Sequence, residues 1–226
     1  MRRRCRVGLS LACAVIAACG SREAAVPVAP VSAPAGTERE GHTVRAQIHP
    51  DLPEFSFTLI GDEATDSTPI LHVHAIEIRN GGARTTQVLD ALDTETPVSG
   101  EVQGLQVIDM NFDGYRDIRI QEFASAGPNT PYLNWLYDPA TGLFEASTVL
   151  NEIASPEFDA SAHEIRSAWR DGATRYGTDF YEVSNGVPRL TRRESRVYDQ
   201  PGVYTLEISR WVDDKWEVVE RRRVSE

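Results

Sequence analysis

Several stretches of this chain alternate apolar and polar residues with a period of two, and this pattern restricts the fold more than any other feature. Phe55, Phe57 and Leu59 are spaced by Ser56 and Thr58. Leu71, Val73 and Ala75 are spaced by His72 and His74. Leu133, Trp135 and Tyr137 form a third set, and Tyr204, Leu206 and Ile208 a fourth. In a strand, successive side chains point to opposite faces, so such alternation marks half-buried strands. Asn80-Gly81, Asp171-Gly172 and Asn185-Gly186 are dipeptides that suit tight hairpin turns. Asp138-Pro139-Ala140-Thr141-Gly142 reads as a longer hairpin loop, and Asp213-Asp214 separates Trp211 from Trp216. Short helices are expected only around Thr86–Leu92 and Asn151–Ile153. Many short strands with turns between them predict an all-β domain, a sandwich, barrel or propeller, over residues 42–226.

Between two apolar pairs lies a segment of different chemistry, Asp109-Met110-Asn111-Phe112-Asp113-Gly114-Tyr115-Arg116-Asp117. Asp109, Asn111 and Asp113 place side-chain oxygens at alternate positions, so a curling loop turns all three inward. Gly114 permits the sharp turn, Tyr115 offers its backbone carbonyl, and Asp117 closes the loop directly or through water. Calcium takes six to eight hard oxygen ligands in flexible geometry, which this set suits. Convergent carboxylates and the lack of an implied phosphate favour calcium over magnesium. The match to an EF-hand loop is incomplete, because Ile120 stands where a bidentate Glu is expected. Val107-Ile108 before the loop and Ile118, Ile120 after it predict strands as flanks. The segment thus resembles the strand–loop–strand calcium loops of integrin-type propellers. Without an ion it reads as an acidic turn held by Asx hydrogen bonds.

The N-terminus speaks to compartment. Met1-Arg2-Arg3-Arg4-Cys5-Arg6 precedes a short apolar run, Val7 to Ala18, in the layout of a secretory signal peptide. The run ends Ile16-Ala17-Ala18-Cys19, which resembles a bacterial lipobox with Cys19 as the lipidated residue. The expected organisation is therefore a signal peptide over 1–18, a lipidated flexible tether over 19–41 and the β domain over 42–226. Pro27, Pro30 and Pro34 lie in the tether, which is rich in Ala, Ser and Val and cannot bury a core. Gly20 after the anchor, rather than Asp, favours the outer membrane. Cys5 and Cys13 fall in the segment to be removed, so the mature domain holds no thiol for a disulfide or a nucleophile. From Cys19 onward the chain carries 19 basic and 34 acidic residues. Such a balance argues against nucleic acid as a partner and suits a cationic protein or divalent ions.

Beyond the acidic loop comes Gly127-Pro128-Asn129-Thr130-Pro131-Tyr132, then Trp135-Leu136-Tyr137-Asp138 and Gly142-Leu143-Phe144. The run from Asp109 to Phe144 resembles the calcium-binding periplasmic lipoproteins that inhibit lysozyme-like effectors of bacteria-killing type IV secretion systems. The resemblance implies a β-propeller-like single domain, bound Ca2+ and no enzymatic activity. It implies an immunity protein in the periplasm, held to the membrane by its lipid alone, whose partner is a lysozyme-like peptidoglycan hydrolase. Such enzymes carry an acidic pair in a cleft, which a protruding loop can fill. Calcium would fix the scaffold of that loop and reduce the cost of ordering it on binding. The segment from Ser125 to Tyr132, polar and next after the acidic loop, is one candidate, with Asn129 and Tyr132 as contact residues. The turn Asp199-Gln200-Pro201-Gly202 between Tyr198 and Tyr204 is a second.

Other features carry less. His72 and His74 share a strand face, but the remaining histidines are scattered in sequence and no Cys accompanies them. Trp135, Trp169, Trp211 and Trp216 are assigned to packing rather than to a sugar platform. No G-x-S-x-G elbow, H-E-x-x-H pair or Gly-rich phosphate loop is present. The alternatives to an inhibitor are a calcium-stabilised carbohydrate hydrolase of the envelope and a calcium-dependent adhesion or assembly module.

Overall fold

The computed structural model describes residues 37–40, 42–63, 70–81, 85–97, 104–123, 127 and 129–226. The expected signal peptide, Cys19 and the tether as far as residue 36 lie outside the described residues.

Among the described residues all strand pairs are antiparallel and fall into three sheets. The first contains β1 (Thr37–Glu40), β2 (Thr43–Ala46), β3 (Phe55–Glu63), β4 (Ile70–Asn80), β5 (Thr85–Leu89) and β6 (Thr94–Pro97). Strands β5 and β6 both pair with β4, β5 beside Ile76–Arg79 and β6 beside Ile70–Val73. The second sheet has the order β10-β9-β8-β7, from β7 (Leu105–Ile108), β8 (Asp117–Gln121), β9 (Tyr132–Asp138) and β10 (Leu143–Ala146). After a short helix, α1 (Thr148–Asn151), the third sheet runs in chain order. Its strands are β11 (Pro156–Asp159), β12 (Glu164–Asp171), β13 (Arg175–Ser184), β14 (Val187–Gln200), β15 (Val203–Val212) and β16 (Lys215–Ser225).

The middle sheet is covered on both faces, and its alternation shows how. Ile118 and Ile120 of β8, with Leu105, Val107, Trp135, Tyr137 and Phe144, join one core with Phe55, Phe57, Leu71 and Ile76 of the first sheet. Aromatic edges tighten it: Phe55 and Phe57 meet Phe144 at 6.0 and 5.5 Å, near perpendicular. The other face turns toward the third sheet. There Met110, Leu150, Ile153 and Ile165 form a second core, with Leu136, Phe158 and Tyr181 against it. Arg119, on that face of β8, is 4% exposed. Its guanidinium lies over Tyr132 and Phe158, donates to the Pro156 carbonyl at 3.0 Å and to Gln106 at 2.8 Å. Burial pushes its pKa down to about 10. Gln87 of β5 bonds both the N–H and the carbonyl of Phe144, each at 2.8 Å, so first and second sheets are also tied through β10.

The alternating segments read from the sequence are strands here, and each expected turn dipeptide joins neighbouring antiparallel strands. Three expectations change. Residues expected as a helix, Thr86–Leu92, mostly form β5, because Thr86 and Val88 are β-branched and pairing with β4 outweighs a helix of two turns. The helix expected near Asn151–Ile153 lies earlier, at Thr148–Asn151, where Ser147 caps it by accepting from the Leu150 N–H. The first strand begins at Thr37, inside the stretch read as tether, in register with β2. A propeller is not shown either. It needs at least about four four-stranded blades round an axis, whereas these sheets have six, four and six strands and none closes into a barrel. Among the described residues no helix is long and apolar enough to cross a membrane.

Phe57 is fully buried at the meeting of the first two sheets. Phe57→Ala should lower unfolding free energy by about 3–5 kcal/mol. Val219→Ala, at an exposed position of β16, should change it by less than about 0.5 kcal/mol. Denaturant midpoints compare the two.

Candidate metal-binding loop

The loop between β7 and β8 is shaped by its own side chains. Asp109 accepts from the Asp113 N–H at 3.2 Å with one oxygen and from the Gly114 N–H at 3.0 Å with the other. The Asn111 carbonyl oxygen also accepts from the Asp113 N–H, at 3.2 Å, and the Asn111 amide donates to Asp113 at 2.9 Å. Asp113 accepts from the Tyr115 N–H at 2.8 Å. Gly114 turns with φ +93°, in the region glycine enters freely. Phe112 also has positive φ, 59°. A bulky residue there costs about 1–3 kcal/mol, offset by its ring, which packs on the second core and stacks on His163 at 5.3 Å.

Asp117 differs from the others. It is fully buried, and its two oxygens accept from the Met110 N–H at 2.8 Å and the Tyr137 N–H at 2.9 Å. It therefore clasps the loop to β9. Burial pushes its pKa up to about 8; the charges of Asp113 and Asp109 add to the rise, while the two backbone N–H groups oppose it. Asp109 is also raised, mainly by burial and then by Asp113, against the pull of the Gly114 N–H.

Neighbouring elements brace the loop on three sides. The Arg116 N–H donates to the Ile48 carbonyl at 2.9 Å. His49 stacks on Tyr115 at 4.3 Å, and Tyr115 packs against Tyr137 at 5.5 Å. The turn at Gly186 approaches Asn111, so the third sheet touches the loop as well. A cleft of about 350 Å³ beside Ile48, His49 and Pro50 opens onto Asp109 and Gly114.

This donor set fits a hard cation in chemistry. Asp109, Asn111 and Asp113 converge, and each oxygen that accepts one N–H keeps a further lone pair. The Tyr115 carbonyl belongs to the same turn. Among the described residues, no three His, Cys, Asp or Glu side chains gather as a group that could hold a metal ion. The arrangement on display is the Asx-bonded turn, with Asp117 directed to backbone donors beneath it.

The expected partner residues hold structural positions. Asn129 pairs with the Arg170 backbone, donating at 3.0 Å and accepting at 2.9 Å. Tyr132 lies under the Arg119 guanidinium, 4.1 Å from its ring centroid. Thr130 and Ser155 exchange two hydrogen bonds, each 2.8 Å. The connection after β8 is thus anchored at its base. It sits at the opposite end of β8 from the acidic loop, so any coupling between them passes along β8 and β9. Residues 124–126 and 128 of this connection lie outside the described residues. Phe123 at its start is 51% exposed, a candidate that sequence pattern did not single out. Sequence also gave no sign of Ile48, His49 or His163, whose roles arise from other strands meeting the loop. His72 faces Glu95 at 3.4 Å and His74 bonds Asp62 at 2.9 Å, two separate pairs on the first sheet. Trp135 is buried, Trp169 donates to Asp179 at 2.9 Å, and Trp211 packs edge-on against Trp216 across a hairpin.

Asp117→Ala leaves two buried backbone N–H groups without acceptors and should cost about 2–4 kcal/mol. Asp113→Ala, in the exposed part of the loop, should cost less than half as much when chelator is present. Equal losses for the two in a chelator-containing denaturant titration would contradict the separate roles given to them.

No family model matches this sequence, and no curated protein matches it. Among solved structures, the chain is similar to a protein described as a Xanthomonas type IV secretion system related protein. The TM-score is 0.56 with 17% identity, over 82% of this chain and 97% of that one. At such identity the likeness is one of fold alone.

Proposed function

We propose that this chain is a calcium-binding envelope lipoprotein that inhibits a lysozyme-like peptidoglycan hydrolase, and so protects its cell from a secreted effector. The observation that carries this reading is the union of the two halves of the motif run. Asp117, at the end of the acidic loop, binds the Tyr137 N–H inside Trp135-Leu136-Tyr137-Asp138, and Tyr115 packs on the Tyr137 ring. Residues separated in sequence are thus one physical unit. The fold shared with a type IV secretion related protein supports the same reading.

In this proposal Asp109, Asn111, Asp113 and the Tyr115 carbonyl hold Ca2+, with Asp117 supporting the loop from below. The ion supplies positive charge where burial and mutual repulsion disfavour the carboxylates. Cys19 carries the lipid that keeps the protein on the periplasmic side of the outer membrane. The chain performs no catalysis. The connection between β8 and β9 enters the hydrolase cleft, with Asn129 and Tyr132 setting its base and Phe123 at its exposed shoulder. An acidic protein steers a basic hydrolase toward it.

The test is a cell-wall clearance assay with a muramidase, the purified chain, and either calcium or chelator. Inhibition that weakens on chelation is the expected result. Clearance by the chain alone would instead make it a hydrolase. Absence of both effects would leave a structural module and end the inhibitor reading. Calcium should raise the melting temperature of the parent and not that of the Asp109→Ala, Asp113→Ala double variant. Phe123→Ala should weaken inhibition by about tenfold, the size of a buried aromatic contact at an interface, with melting temperature unchanged.

A further inference from the structure

At the end of the third sheet remote from the acidic loop, three tyrosines form a continuous surface. Tyr176 of β13 meets Tyr198 of β14 edge-on at 5.7 Å, and Tyr198 meets Tyr204 of β15 at 5.1 Å. All three are half-buried. Arg170 lies over the Tyr176 ring at 4.8 Å and Arg196 over the Tyr204 ring at 5.6 Å. Tyr176 and Tyr198, but not Tyr204, line a groove of about 680 Å³, rimmed by Thr174, Arg196, Asp199, Gln200, Pro201 and Glu226.

The polar groups on this rim are not equivalent. Glu226 accepts from the Tyr198 hydroxyl at 3.1 Å, and Asp199 lies 3.7 Å from Arg223. Arg196 is exposed and has no carboxylate partner among the described residues. The groove thus offers two tyrosine rings, each partly covered by a neighbouring ring or guanidinium, amide and hydroxyl groups at their edges, and one cation, Arg196; the Asp199 and Glu226 carboxylates on the same rim are engaged by Arg223 and the Tyr198 hydroxyl. Its volume lies in the range of small-ligand sites, about 300–1,000 Å³. A protein partner would instead need a face burying about 800 Å² per side.

We propose that this groove binds an acidic saccharide, a glycan segment whose rings rest on the tyrosines and whose carboxylate pairs with Arg196. One face of a pyranose ring is a patch of C–H groups, which packs on an aromatic face. Its equatorial hydroxyls then point outward, within reach of Thr174, Gln200 and Glu226. A carboxylate on the sugar supplies the two oxygens that a guanidinium binds side by side. The site is independent of the inhibitor reading. By strand rise it lies about 30 Å from the acidic loop, at the other end of β13.

The experiment titrates the full chain with two soluble probes. One is a tetrasaccharide of alternating N-acetylglucosamine and N-acetylmuramic acid, which carries carboxylates; the other is neutral chitotetraose. The parent should bind the acidic probe more tightly. Arg196→Gln should weaken binding of the acidic probe by about tenfold, the loss of one charge-assisted pair, and that of the neutral one by less than about twofold. Tyr176→Leu and Tyr198→Leu should each weaken both. An unchanged melting temperature of R196Q shows that the fold is intact. Three results would overturn the proposal: no saturable binding of either probe, equal losses for both with R196Q, or binding of a free acidic tetrapeptide in preference to the saccharides.

Discussion

A single buried carboxylate holds the candidate site to the fold. Asp117 has no exposure, yet it binds backbone donors from its own loop and from β9. A carboxylate removed from water is costly unless its lone pairs are used. Here they are used to fix the loop against the strand that follows it. Burial, and then the charges of Asp113 and Asp109, push its pKa up to about 8. A divalent ion in the proposed calcium site would offset those charges from above, and the loop would become stiffer as the ion bound.

The rest of the architecture distributes what is fixed at that point. The middle sheet is packed on both sides, one side on the first sheet and the other toward the third, with only its edge strand β10 largely exposed. Each neighbour also touches the acidic loop, the first through Ile48 and His49, the third through His163 and Gly186. Charge is divided along the same lines. Residues 156–226 hold 12 of the 23 basic side chains against 14 of the 34 acidic ones, leaving the first two sheets strongly negative. Electrostatic attraction of a basic partner would therefore act on the sheets that carry the acidic loop, while the arginines gather on the long third sheet.

Much of this was legible in the sequence, for identifiable reasons. Period-two alternation revealed β3, β4, β9 and β15: in the first three, one set of side chains enters the first core, and in β15 Leu206 alone is buried. The acidic loop was legible because its spacing encodes its own hydrogen bonds: Asp109, Asn111 and Asp113 are bonded within the turn. What sequence did not yield depends on contacts between distant segments. Thr86–Leu92 reads equally well as a short helix, until β4 offers a ladder. Asn129 and Tyr132 stand out in sequence as a polar and an aromatic residue in a Gly/Pro-rich stretch, but what holds them in place does not. Their partners, the Arg170 backbone and the Arg119 guanidinium, come from other strands. The count and arrangement of sheets likewise follow from which faces meet: the all-β expectation holds, and three antiparallel sheets are seen in which a propeller is not shown.

The most direct test follows amide hydrogen exchange with and without calcium. If the ion seats in the acidic loop and stiffens the junction of the sheets, protection should rise at Asp113, Gly114 and Tyr115. It should rise as well at Arg116, bonded to Ile48, and at Tyr137, bonded to Asp117. Exchange at these amides that is the same with saturating calcium and with chelator would contradict the account at its centre.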